Sequence, residues 1–253
     1  MVIRILFVLC SGLFLFLSFV PNALRAETPN IEDILKKADD LYRREHSIMQ
    51  MEMYVKTSKY ERKMTMEATS LGTEKSLIKI VSPAKDAGTI TLKVDKNMWN
   101  YLPKVDRTMK IPSGMMGGSW MGSHFSNGDL VREDRFSEDF DAKFLQVPGD
   151  KGEDVFVIEM IPKPDTPVVW GKIVSKNASD YVPMEVSYYD EDGTLMRIDK
   201  FEDIKEVDGI RMPMSFLILP QDKPGEMTKI TYTKIDFTTE VDPKMFSLQA
   251  LRK

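Results

Sequence analysis

Met49-Gln50-Met51-Glu52-Met53-Tyr54-Val55-Lys56 makes every second side chain an aliphatic one and sets Gln50, Glu52, Tyr54 and Lys56 between them. A helix would scatter these residues around its circumference, whereas a strand puts them on one face. The pattern returns downstream. Met64, Met66 and Ala68 alternate with Lys63, Thr65, Glu67 and Thr69, Ile78 and Ile80 sit opposite Lys79, and Ile90, Leu92 and Val94 alternate with Thr91 and Lys93. Trp99–Pro103 and Thr108–Ile111 continue it. Period two with one polar face predicts an antiparallel sheet with one wet side. Strand parity is expected to turn Met49, Met51, Met64, Met66, Ile78, Ile90, Leu92, Trp99 and Tyr101 to the inner face, with Trp99 and Tyr101 on the side of the methionines.

Working outward, one helix precedes the strands. Asn30 suits its N-cap, Glu32 and Asp33 suit the positive end of its dipole, and Arg43 and Arg44 suit its close. Ile31, Ile34, Leu35, Ala38, Leu41 and Tyr42 recur at helical spacing. Later strands are expected at 155–161, 168–174, 183–189, 194–201, 210–219 and 227–237, with Asp192-Gly193 and Asp208-Gly209 as hairpin turns. Asp129–Phe136 reads as a short charged helix or turn. Met245 and Phe246, near the end, are expected to dock on the core. No linker or short repeat divides the chain. The pattern describes a mainly β protein: one long, curved antiparallel sheet with a helix and a loop covering its inner face.

That loop is Ile111–Asp129. Met115, Met116, Trp120, Met121 and Phe125 are separated by Gly114, Gly117, Gly118, Gly122 and Gly128. Neither a helix nor an alternating strand fits so many glycines. Apolar loops are normally avoided unless they cover something apolar. These side chains either plug the protein's own core or form a lid over a ligand.

The first 26 residues read as a secretory signal: Arg4, the apolar run Ile5–Val20, then Pro21–Ala26 with cleavage after Ala26. An uncleaved anchor is the alternative. The single cysteine, Cys10, lies in that run behind Leu9, too large a neighbour for a lipoprotein acylation site. The chain from residue 27 to 253 would then hold no cysteine, and hence no disulfide and no thiolate metal site. Lys and Arg number 35 and Asp and Glu 39; loss of Arg4 and Arg25 takes the net charge from −4 to −6. That argues against nucleic acid, and against an anionic membrane held by charge alone.

Chemistry is sparse. His46 and His124 are the only histidines, too few for a histidine-rich metal site. Ser123 and His124 are adjacent, so their side chains diverge. Met121 stands where a nucleophile elbow around Ser119 needs its second glycine. No phosphate or dinucleotide loop occurs. No catalytic residue, metal or cofactor is expected. Methionine is in surplus, at 18 residues; it adapts to varied apolar partners.

Trp99-Asn-Tyr-Leu-Pro103 and Trp120-Met-Gly-Ser-His-Phe-Ser-Asn-Gly-Asp-Leu-Val131 resemble the outer-membrane lipoprotein-sorting family of Gram-negative bacteria, the LolA-like group. Pro183–Gly193 and Val241–Ser247 are similar to it as well. His124 departs from the pattern, which has an acid there. The resemblance implies an unclosed β-barrel, a half-barrel with a helical lid over an apolar cavity for acyl chains. It implies a periplasmic carrier of lipid or lipoprotein that works with an inner-membrane exporter; a monomer is expected. A regulatory or scaffold protein that binds a partner protein with the same fold is the alternative.

Overall fold

The computed structural model describes residues 29–42, 44–131, 136–164, 166 and 168–252. The expected signal at 1–26 lies outside them. In chain order the elements are α1 (Ile31–Asp39), β1 (His46–Lys56), β2 (Glu61–Leu71), β3 (Lys75–Ser82), β4 (Ile90–Val94), β5 (Asn97–Leu102), β6 (Arg107–Lys110), α2 (Asn127–Val131), α3 (Phe136–Asp139), β7 (Phe140–Gln146), β8 (Val155–Pro162), β9 (Lys172–Ala178), β10 (Pro183–Tyr189), β11 (Leu195–Val207), β12 (Ile210–Pro220) and β13 (Met227–Asp236). Among the described residues no helix is long and apolar enough to cross a membrane.

All thirteen strands form one antiparallel sheet, in the order β6-β5-β4-β3-β2-β1-β13-β12-β11-β10-β9-β8-β7. The first and last strands meet in its middle. The sheet does not close: its edges are β6 and β7, and the segment joining them, 111–139, carries the lid and α2 and α3. Apart from β1 and β13, each pair of neighbouring strands is consecutive in the chain. Asp208 and Gly209 have φ of 50° and 76°, as a two-residue hairpin with right-handed strand twist requires.

The inner face is defined by what sits on it. Across β1–β4 the register aligns Met49 with Ala68, Ala68 with Ile78 and Ile78 with Thr91; one row on, Met51 meets Met66 and Met66 meets Ile80. The apolar residues of these rows, with Met53, Val55, Met64, Met98 and Ile230, form a core cluster against the lid. Toward the other edge, Ile34 and Leu35 of α1 pack on Phe140, Phe156, Ile158, Met160, Ile173 and Val186. The Asn30 side chain accepts from the Glu32 N–H at 3.0 Å, the expected cap. The helix stops at Asp39, short of Arg44. Leu41 and Tyr42 follow it in a turn and reach β12 and β13: the Tyr42 hydroxyl donates to the Pro213 carbonyl at 2.7 Å, and its ring stacks on Tyr232 at 5.2 Å.

The expected inner face is corrected at β4 and β5. Thr91 pairs with Asn100 and Lys93 with Met98 on the inner side, so Leu92 opposite Trp99, and Ile90 opposite Tyr101, face outward. There the outer face is dry. Val241, Met245, Phe246 and Leu251 of the C-terminal segment pack on Ile90, Leu92, Trp99 and Tyr101. Met245 and Phe246 do dock, on the outer side. Beyond β13 the outer face is wet, with cross-strand ion pairs such as Lys143–Glu159 at 2.7 Å and Lys229–Glu202 at 3.3 Å.

Candidate functional site: the inner face and its lid

The lid runs from Pro112 to Val131 as two single-turn 3-10 segments, Ser113–Met115 and Trp120–Gly122, followed by α2. Trp120 is the anchor. It is 3% exposed within the methionine cluster, and its indole N–H donates to the Thr91 hydroxyl at 3.0 Å. Phe125 meets it edge-on at 6.4 Å and reaches Phe216 of β12 at 5.7 Å. Met116 and Met121 are half-buried against the same cluster, while Met115 is 60% exposed at the tip.

Of the residues expected to line the site, the structure brings together Met49, Met51, Met64, Met66, Ile78, Met116, Trp120, Met121 and Phe125. It does not bring Ile90, Leu92, Trp99 or Tyr101 to them; those lie under the C-terminal segment. Met53, Met98, Ile80 and Ile230 share the inner face and were not singled out, although Met53 belongs to the same alternation as Met51.

Polar bonds fasten the lid at one end. Met121 and Gly122 both have left-handed backbone, φ 51° and 71°, which turns their two carbonyls outward. Arg62 donates to the Met121 carbonyl at 3.0 Å, and the Tyr60 hydroxyl to that of Gly122 at 2.5 Å. The His124 ring contacts the Thr228 hydroxyl through Nδ1 at 2.8 Å and the Glu226 carboxylate through Nε2 at 3.1 Å. Glu226 also accepts from the Ser58 N–H at 2.8 Å. These donors, the Ser58 N–H first, hold the Glu226 carboxyl down at about 2.

A buried charge cluster fastens the other end. Arg197 of β11 grips Asp199 through two nitrogens, at 2.6 and 2.7 Å, and reaches Asp129 of α2 at 3.1 Å. Its guanidinium lies over the Tyr188 ring at 5.1 Å. Burial raises the Asp199 carboxyl above its ordinary value against the pull of Arg197, and the two carboxylates keep Arg197 charged despite its own burial. Arg197, Asp199 and Phe201 are at inward positions of one strand, so the Arg-x-Asp pair was a visible signal of polarity inside the sheet.

Two clefts lie away from this seat. One, of about 400 Å3, is on the outer face beside Glu52, Tyr54, Lys63 and Lys229. The other, of about 680 Å3, lies between α1 and the turns at Asp180–Val182 and Gly209–Arg211. Among the described residues no group of three or more His, Cys, Asp or Glu is placed to hold a metal.

A family model described only as uncharacterized-protein-like matches residues 72–253, and the chain belongs to that family. No curated protein matches the sequence. Among solved structures, an outer membrane lipoprotein-sorting protein domain from Vibrio parahaemolyticus is 26% identical, with a TM-score of 0.74 over 88% of this chain and 98% of that one. A DUF1329 family protein from Desulfovibrio piger is 21% identical, TM-score 0.77, covering 87% and 97%. A LolA superfamily protein from Nitrosomonas europaea is also 21% identical, TM-score 0.70, covering 88% and 99%. The lipoprotein-sorting resemblance read from the sequence is thereby shown, and the fold, a mainly β sheet that does not close into a barrel, is shared with these proteins.

Proposed function

We propose that the protein is a periplasmic carrier that holds an acyl chain of a lipid or lipoprotein on the inner face and moves it toward the outer membrane. It would do so as a monomer formed by residues 27–253, in concert with an inner-membrane exporter and without a cofactor. One observation carries the reading: the methionine-rich half of the inner face is covered by a glycine-interrupted loop tied down by a few polar bonds, where a helix would make a permanent cover. Met116, Trp120, Met121 and Phe125 occupy the seat that cargo would take, so loading exchanges the protein's own side chains for an acyl chain. Each methylene so buried contributes roughly 0.8 kcal/mol, and the displaced lid side chains offset part of it. Methionines suit a seat that must fit two occupants.

The test is native mass spectrometry of protein purified from a bacterial periplasm, with titration of a fluorescent fatty acid. Co-purified lipid, displaced by the probe, is expected. Protein that carries no lipid and takes up no probe would refute the carrier reading.

A further inference from the structure

We infer that one rim of the sheet is a docking surface for an anionic lipid bilayer. Four hairpin turns stand side by side along this rim: 103–106 between β5 and β6, 83–89 between β3 and β4, 57–60 between β1 and β2, and 221–226 between β12 and β13. Each touches the next. A Cβ on Gly88 would stand 3.1 Å from the Pro103 ring, Arg62 pairs with Asp86 at 2.8 Å, and the Ser58 N–H donates to Glu226. With strands about 4.8 Å apart, successive hairpins are about 10 Å apart and the ridge is about 30 Å long.

Every hairpin carries an exposed cation: Lys104 with Arg107 beside it, Lys85, Lys59 and Lys223. None of these side chains has an ion pair, hydrogen bond or ring contact among the described residues. The acids of the ridge are largely taken from within. Arg62 holds Asp86, Ser58 and His124 hold Glu226, and Tyr101 and Arg252 reach Asp106; Asp222 remains. One apolar side chain projects among the cations, Val105 at 65% exposure, and the partly exposed Tyr60 ring lies beside them with its hydroxyl bonded to Gly122.

Unpaired cations flanking an exposed aliphatic tip match a headgroup layer, where lysines attract anionic lipid and Val105 can reach past it. The chain as a whole is negative, so attraction to an anionic surface requires a local basic patch such as this ridge. The hairpin beyond it, Asp190-Glu191-Asp192-Gly193, is acidic and marks where the surface ends. The contact needs no cargo and stands independently of the carrier reading. It does adjoin the lid, since Tyr60 and Glu226 on these turns and Arg62 at the start of β2 hold Met121–His124.

The test is co-sedimentation of the protein with phosphatidylcholine vesicles, with and without phosphatidylglycerol, at low and at high salt. Binding only to the charged vesicles, weakened by salt, is expected. The variant K59Q/K85Q/K104Q/K223Q should lose more than about tenfold in binding while keeping its circular dichroism and its uptake of a fluorescent fatty acid. Asp222→Lys should bind more tightly, a gain that misfolding does not produce. Equal pelleting with neutral vesicles, or unchanged binding by either variant, overturns the proposal. Soluble polyglutamate binding as strongly as charged vesicles would overturn it in favour of an acidic protein partner.

Discussion

The Tyr60 hydroxyl reaches the Gly122 carbonyl at 2.5 Å, and a Cβ built on Gly122 would stand 2.8 Å from that same oxygen. A side chain at residue 122 would force the Tyr60 hydroxyl to shift from this position. Gly122→Ala would also be strained by its positive φ, at about 1–2 kcal/mol. It is expected to lower stability by about that much in urea melts and to speed amide exchange across 112–128. Tyr60→Phe should speed exchange with a smaller loss of stability; the reverse order would mean that the close approach is not what fixes the lid.

Trp120→Ser tests whether the lid is both cover and core. Truncating so large a buried side chain costs about 3–5 kcal/mol. A fall in melting temperature together with weaker fatty-acid binding is expected. Lost stability with unchanged affinity would leave Trp120 as core alone and remove the lid from the binding step.

Met64 and Leu92 are both buried, 1% exposed each, but on opposite faces. Glu at either position is destabilising, because a buried unpaired carboxylate is expensive. Only Met64→Glu should abolish fatty-acid binding by the protein that remains folded. Leu92→Glu should loosen the C-terminal segment, seen as early proteolysis near Phe246, with affinity retained.

For the charge cluster, Asp199→Ala leaves Arg197 with Asp129 alone, and breaking a buried pair typically costs about 3–5 kcal/mol. Replacing both, R197M/D199L, should cost less than the single change. Thermal melts of the two variants decide it, and a double variant worse than the single one would mean that the cluster stabilises the fold beyond compensating its own burial.

Acid should release the His124 end of the lid. The folded Glu226 carboxyl is held at about 2 against an ordinary 4.5. A depressed carboxyl stabilises the folded state above its unfolded pKa, and that contribution fades as pH falls from about 4.5 to about 2. In a variant keeping Trp120 as its sole tryptophan, emission should shift to the red over that window. Glu226→Gln should show a shifted baseline and no transition there.

Most strands are legible because alternation survives at single-residue resolution, as at Met49–Val55 and Ile210–Leu219, but the strand expected at 168–174 lies at Lys172–Ala178. β7 was missed although Phe140, Ala142 and Phe144 alternate with Asp141 and Lys143, since the charged segment before it suggested a turn. α1 was read too long: Leu41 and Tyr42 keep helical spacing but bury themselves against β12 and β13 from a turn. The faces of β4 and β5 were not legible at all. Parity within one strand says nothing of its neighbour unless the connection is known, and the rule of one wet side fails where the C-terminal segment makes the outer side dry. The lid's apolar residues were visible as a group, whereas their polar fastenings join residues far apart in the chain, His124 to Glu226 and Arg197 to Asp129.

The pairing of β1 with β13 has a consequence for how the molecule is made. The hydrogen bond from Thr233 to the Gln50 carbonyl spans 183 residues. Whichever end of the chain becomes available first, the methionine strand can pair with the adjoining β2 at once, but its other edge stays open until the final strand is in place. Contacts this distant in sequence form slowly, and an unpaired apolar strand edge invites association with other chains in the meantime. The folding protein thus passes through a stage in which its methionine strand is paired on one side only, and whatever shields that edge until β13 arrives bears on its yield.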